Sequence, residues 1–192
     1  MVSKVLLIVA MIWVGSGALT ALQSEEGGAM TPLNKKLPAV TGTNLAGERV
    51  SLPDDLMGKP AVLLVAYRRG TQADVDQWIS LIEEAMPGLA FLEVPAISNP
   101  VWRPLQGWID GGMRRGVPQA RWHQVVTLYD DAPILKNFLG DYGSYHTHVA
   151  LLDGSGLVRW FYAGGFNHAA AEELSRAVSR PDATATSGEA EK

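Results

Sequence analysis

The chain contains no cysteine. That absence excludes disulfides, thiolate nucleophiles, thiolate-bound zinc and iron–sulfur clusters. Charged residues are scarce at 19%, and the basic sign is in the minority: 16 Lys and Arg stand against 20 Asp and Glu, for a net charge of −4. A nucleic-acid coat needs a basic surface, so no nucleic-acid partner is expected. There is no P-loop pattern and no dinucleotide fingerprint after a strand, so no cofactor is expected either. What is present suffices for one core, because 192 residues at 47% hydrophobic suit a single domain of ordinary size.

The N-terminus reads as an export signal. Lys4 precedes an unbroken apolar run from Val5 to Val14, and Ser16 and Ala18 place small residues at the spacing a signal peptidase reads. Residues 1–18 are therefore expected to be a signal peptide. The apolar stretch continues to Leu22, which leaves the alternative of an uncleaved anchor of about 18 residues, enough for a hydrocarbon core of ~30 Å. Either reading puts the domain outside the cytoplasm, in the periplasm or secreted, with or without a membrane tether. Residues 24–36 are polar with Gly and Pro and read as a linker, and 180–192 as a disordered tail. The domain is then 37–179.

Within it, Leu45 to Leu52 reads as a hairpin arm turning at Gly47. Ala61 to Ala66 is a continuous apolar run, the pattern of a strand buried on both faces. Val75, Trp78, Ile79, Ile82 and Met86 recur at helical spacing over a helix from Thr71 or Gln72 to Ala85, which Pro87-Gly88 stops. Thr71 with Asp74 predicts a capping box. A strand over Leu89 to Pro95 follows. Leu105, Trp108, Ile109 and Met113 form a second helical set, which places Trp108 in the core. Val125 to Tyr129 reads as a strand and Pro133 to Leu139 as a short helix. Asp153-Gly154-Ser155-Gly156 turns a hairpin between His148–Leu152 and Leu157–Tyr162, and Asn167 caps a last helix through Val178.

Three stretches, Gly47 to Pro53, Gly58 to Val65 and Leu151 to Gly156, together resemble the thioredoxin fold in its peroxiredoxin and membrane-anchored thiol-reductase branches. The resemblance implies an α/β domain: a central mixed β-sheet flanked by helices, with an N-terminal β-hairpin. In that fold the redox centre lies where the first core strand meets the first helix. Here that turn reads Tyr67-Arg68-Arg69-Gly70-Thr71-Gln72-Ala73-Asp74, with Thr71 and Asp74 at the implied cysteine positions. The loop before the later strand, where the fold carries a cis-proline, reads Tyr145-His146-Thr147-His148. A narrower resemblance runs through Gln72 to Trp78, Ile109 to Pro118 and Thr127 to Asp131. It is similar to the mitochondrial assembly factor for the membrane sector of ATP synthase and to its bacterial relatives. That implies a protein partner, such as a membrane-protein subunit, and a chaperone-like role in assembly.

Thiol exchange and thiol peroxidation require a thiolate and are excluded here. The helix N-terminus at the implied redox turn nevertheless keeps unpaired N–H groups and positive dipole character. Arg68, Arg69, Thr71, Gln72, Asp74, Tyr145, His146 and Thr147 are therefore candidates for an anion or ligand site. The plainer reading is a capped helix with solvated arginines. His146 and His148 are two apart and are expected on one face; they are weak metal candidates, as is His168 with Glu172, and without further ligands no metal is expected. His168 and Glu172, four apart on a helix, read as a solvated face. His123 has no evident partner. Ser144 and Ser155 lack the strand-to-helix elbow of hydrolases. The stretch from Trp102 to Trp122 collects Trp102, Arg103, Arg114, Arg115, Arg121 and Trp122, residue types enriched in interface hot spots, and is the candidate for a partner or membrane surface. Two functions remain open: a non-redox binding or assembly protein, or an enzyme or metal- or anion-binding protein built on Arg68, Arg69 and Thr71 with His146 and His148.

Overall fold

The computed structural model describes residues 31–140 and 145–179. The signal or anchor segment, Ser144, the tail and the side chains of Trp102 and Arg103 lie outside the described residues. The elements follow as β1 (Val40–Asn44), β2 (Arg49–Leu52), β3 (Ala61–Ala66), α1 (Gln72–Ala85), β4 (Ala90–Pro95), α2 (Gln106–Gly116), β5 (Val126–Thr127), α3 (Ala132–Leu139), β6 (His148–Leu152), β7 (Val158–Tyr162) and α4 (His168–Ser179). Four strands form a mixed sheet in the order β4-β3-β6-β7, with β3 parallel to β4 and antiparallel to β6. A second sheet, β2-β1-β5, joins the β4 edge through the parallel bridges Glu93–Val125 and Ala96–Leu128.

The apolar run of β3 is covered on both faces, as its composition requires. Leu63 and Val65 pack toward α3 and the β1–β2 hairpin, with Leu52, Leu135 and Leu139. Val62 and Leu64 pack toward α1 and α4, with Trp78, Ile82 and Leu174. Successive β3 side chains thus serve opposite cores, which is the period-two rule of a strand. Gly42 lets β1 lie against β5, because a Cβ there would meet Thr127 O and Val126 Cγ1 at 2.7 Å. Asn167 caps α4 as expected, its Oδ1 accepting from Ala170 N at 2.9 Å.

The hairpin at Asp153 is stitched by one carboxylate. It accepts from Ser155 Oγ (2.6 Å), from the amides of Ser155 and Leu157, and from Arg159 Nε (2.7 Å). Burial pushes this carboxyl up, but the hydrogen bonds from Ser155, Leu157 and Arg159 outweigh it and hold the group below the usual carboxylate range.

Several expectations change. The N-terminal hairpin begins earlier, at Val40, with its turn at 45–48 rather than an arm starting at Leu45. Residues read as linker are paired from Asn34 onward: Asn34 N donates to Val158 O and Lys36 bridges Leu157. The strand at β5 is only two residues long.

The largest correction is Trp108, which is 63% exposed and not core. α2 buries no residue fully. At 3.6 residues per turn Trp108 shares a face of α2 with Arg115, whereas Ile109 and Met113 lie about a third of a turn away beside Asp110 and Arg114 and are half-buried. The inner face docks through polar bonds. Tyr129 Oη donates to Asp110 Oδ1 at 2.9 Å, and Arg114 Nε donates to Leu45 O at 2.7 Å. Burial, then the bond to Asp110, pushes the Tyr129 phenol well above its ordinary range.

Candidate functional site

β3 ends at Ala66 and a short 3-10 turn, Arg69–Thr71, leads into α1. Thr71 does not cap this helix as expected. Its hydroxyl turns back and donates to Arg68 O at 2.7 Å, and the residue is 1% exposed. Asp74 does not complete a capping box either. Its carboxylate crosses to the loop before β6, where Oδ2 accepts from Thr147 N at 2.8 Å, while Oδ1 accepts from Phe166 N beyond β7. One side chain from the first turn of α1 thereby ties two distant segments together. A carboxylate can do this because it accepts several hydrogen bonds at once.

The two arms of the site close over this tie. Tyr67 is half-buried and meets the ring of His148 edge-on at 4.9 Å; Phe161 also meets that ring edge-on, at 5.9 Å. His148 is fully buried. Thr147 is buried too. Above them the Arg68 guanidinium lies 4.3 Å from the centroid of Tyr145, which is exposed. Arg69, Gln72 and His146 face solvent.

The expectation that His146 and His148 share a face is overturned. His146 precedes the strand, so strand alternation does not govern it. Its ring rests on Gly165, where a Cβ would come within 2.6 Å of Nδ1 and where φ is +81°. Among the described residues, no group of three or more His, Asp or Glu is placed to hold a metal ion. Glu172 pairs with Arg176 at 3.7 Å, and His168 meets Phe166 edge-on. His123, for which the sequence offered no partner, bonds through Nδ1 to Glu48 Oε2 at 2.9 Å. Asn44 first, and His123 second, hold the Glu48 carboxyl below its ordinary range.

The site is thus a helix N-terminus packed against a loop, at the end of the two central strands, β3 and β6, of a four-stranded mixed sheet with helices on both faces. Solved structures share this fold. The thioredoxin domain of a thiol-disulfide oxidoreductase from Bacteroides vulgatus matches with a TM-score of 0.51 at 16% identity, over 76% of this chain and 97% of that one. Copper-bound ScoI from Arabidopsis thaliana matches with 0.52 at 12%, over 73% and 96%. The fold is thioredoxin-like. A thiol peroxidase from Chromobacterium violaceum matches as well, with 0.50 at 12% over 75% and 86%. No family model matches the chain, and no curated protein matches it. In this thioredoxin-like chain, Asp74 and its two backbone partners occupy the pole where β3 runs into α1.

The Trp102–Trp122 stretch is divided by the structure. Arg121 Nη2 donates to both oxygens of Glu83 at 3.0 Å, and Trp122 Nε1 donates to Val117 O at 3.0 Å. Arg114 also lies 5.8 Å from the Trp122 ring. Arg114 and Arg121 hold the α2 region to the body, and Trp122 ties the segment after α2 back onto the helix end. Of the basic residues in the stretch that are described, Arg115 is exposed; so are Leu105 (43%) and Trp108 (63%) and, just before the stretch, Val101 (71%).

A further polar group was missed in the sequence. Glu93, on β4, is 7% exposed and faces α1 beside Phe91. Burial pushes its carboxyl above the ordinary range; a hydrogen bond from Gln72 opposes this, Asp76 adds to it and Arg121 opposes it. The signal was available: an acid alternating with Phe91 on a strand puts a charge on the inward face. In the unfolded chain Glu93 titrates at about 4.3. The folded state therefore keeps a proton that the unfolded state has released. Stability falls as pH rises from there through the folded-state value, and stays at the lower level above it. Glu93→Gln is expected to raise the melting temperature more at pH 7.5 than at pH 4.5. Equal melting-temperature changes at both pH values would remove the assignment.

Proposed function

We propose that this thioredoxin-like chain is a non-redox binding protein that works outside the cytoplasm and assists a membrane complex by engaging one of its protein subunits. The observation that carries this is the exposed stripe Val101, Leu105 and Trp108, flanked by Arg115. Trp108 and Arg115, seven residues apart on α2, share one face, and Val101 and Leu105 are exposed on the 3-10 turn that leads into it. A solvated Trp beside aliphatic side chains and an Arg is the composition of an interface hot spot. The competing reading, a ligand or metal site at the α1 pole, gains no support from a pole whose Thr71, Thr147 and His148 are buried. The N-terminal apolar segment and the similarity of Ile109 to Pro118 to the assembly-factor family support the membrane setting.

The test is partner capture from detergent-solubilised membranes of the native host. Trp108→Ser with Arg115→Glu is expected to reduce capture at least tenfold and to shift the melting temperature little, since exposed positions contribute within about 0.5 kcal/mol. Arg114 is left intact because its guanidinium anchors α2 to Leu45 O. Full capture by the double variant would sink the proposal.

A further inference from the structure

A cleft of about 240 Å³ opens between α1, the outer edge of β4 and the segment that follows α2. Its walls are largely apolar, with Ile79, Phe91, Met113 and Val117 among them. Its polar groups are Glu93, Asp76, Gln72 and Arg121, joined by Gln124 at the rim. Clefts for drug-sized ligands run to roughly 300–1,000 Å³, so this one suits a small molecule or a single side chain.

The charges are unbalanced. Gln72 Nε2 donates to Asp76 Oδ1 at 3.1 Å, and the same side chain lines the cleft with Glu93. Two carboxyl groups thus face one neutral amide. The cation of the cleft, Arg121, is shared with Glu83, both of whose carboxylate oxygens accept from its Nη2. Glu93 itself has no ion-pair partner among the described residues. Folding has already stripped water from its carboxyl, so a cation arriving there gains attraction in a poorly screened site without desolvating that carboxyl afresh. A dication would need more oxygen ligands than this pair offers.

We propose that this cleft binds an alkylammonium group, its stem against Phe91 and Met113 and its charged head between Glu93 and Asp76. The inference stands on the cleft alone and holds whichever face engages a protein partner. Two sources share this chemistry: a small free amine, or the lysine side chain of another protein.

The experiment titrates the full chain by calorimetry and by amide NMR at pH 7.5 with n-butylammonium, with neutral n-butanol and with Nα-acetyl-lysine N-methylamide. The amine is expected to shift the amides of Gln72 to Asp76 and Phe91 to Val94, and n-butanol to bind at least tenfold more weakly. Glu93→Gln should lower amine affinity at least tenfold with an unreduced melting temperature, and Asp76→Asn should lower it by a smaller factor. Tighter binding of the capped lysine than of the free amine identifies a protein lysine as the occupant. The reverse order identifies a free amine. No binding of either amine, equal binding of n-butanol, or undiminished binding by folded Glu93→Gln and Asp76→Asn would overturn the proposal.

Discussion

Asp74→Ala is expected to be among the most destabilising single changes in this protein. The carboxylate accepts from Thr147 N and Phe166 N, amides in segments 73 and 92 residues away in the chain. Removing it leaves two partly buried N–H groups without their acceptor. Each unsatisfied donor costs about 1–3 kcal/mol, so the total is about 2–6 kcal/mol. Asp74→Asn should recover part of this, because one amide oxygen can still accept while the NH₂ group opposes the other donor. Thermal melts give the magnitude, and hydrogen exchange at Thr147 and Phe166 gives the location. Unchanged protection of both amides in Asp74→Ala would mean that the tie does not hold the pole closed.

The second large effect separates two tryptophans. Trp78 is fully buried, 5.1 Å from the Phe166 ring and 6.2 Å from that of Trp160. Trp78→Ala opens a cavity between α1 and the β6–β7 face and is expected to cost about 3–5 kcal/mol. At about 2–4 °C per kcal/mol for a domain of this size, the melting temperature should fall by roughly 10 °C. Trp108→Ala removes a side chain of the same size that is 63% exposed, and should change stability by no more than about 0.5 kcal/mol. Comparable losses at both positions would place Trp108 in the core after all.

These residues also mark how far the sequence could be read. β3 was legible because a strand covered on both faces has to be apolar at every position. α1, the Asp153 turn and the Asn167 cap were legible because their signals are local: a helical period, a turn tetrapeptide, a side chain bonding three residues on. Trp108 was misplaced because α2 meets the body on the face that carries Ile109, Asp110, Met113 and Arg114, and Trp108 lies about a third of a turn away from that face. Thr71 and Asp74 look like a cap in sequence. Nothing local shows that Asp74 has better acceptor geometry across the fold than along its own helix. His146 and His148 were paired by a strand rule that applies only from His148 onward. His123 and Glu48 are brought together by the packing of β1 against the segment after α2, which no local pattern encodes.

The central claim is that contact with a partner runs through the outer face of α2 and not through the pole at α1. The most direct measurement places a photo-crosslinking amino acid at position 108 in one variant and at position 145 in another, with irradiation in membranes of the native host. Tyr145 is the fitting control because it is as exposed as Trp108, at 68%, and sits over the pole against Arg68. The account predicts a discrete crosslinked protein from position 108 and none from position 145. A discrete product from position 145 with none from 108 would contradict it.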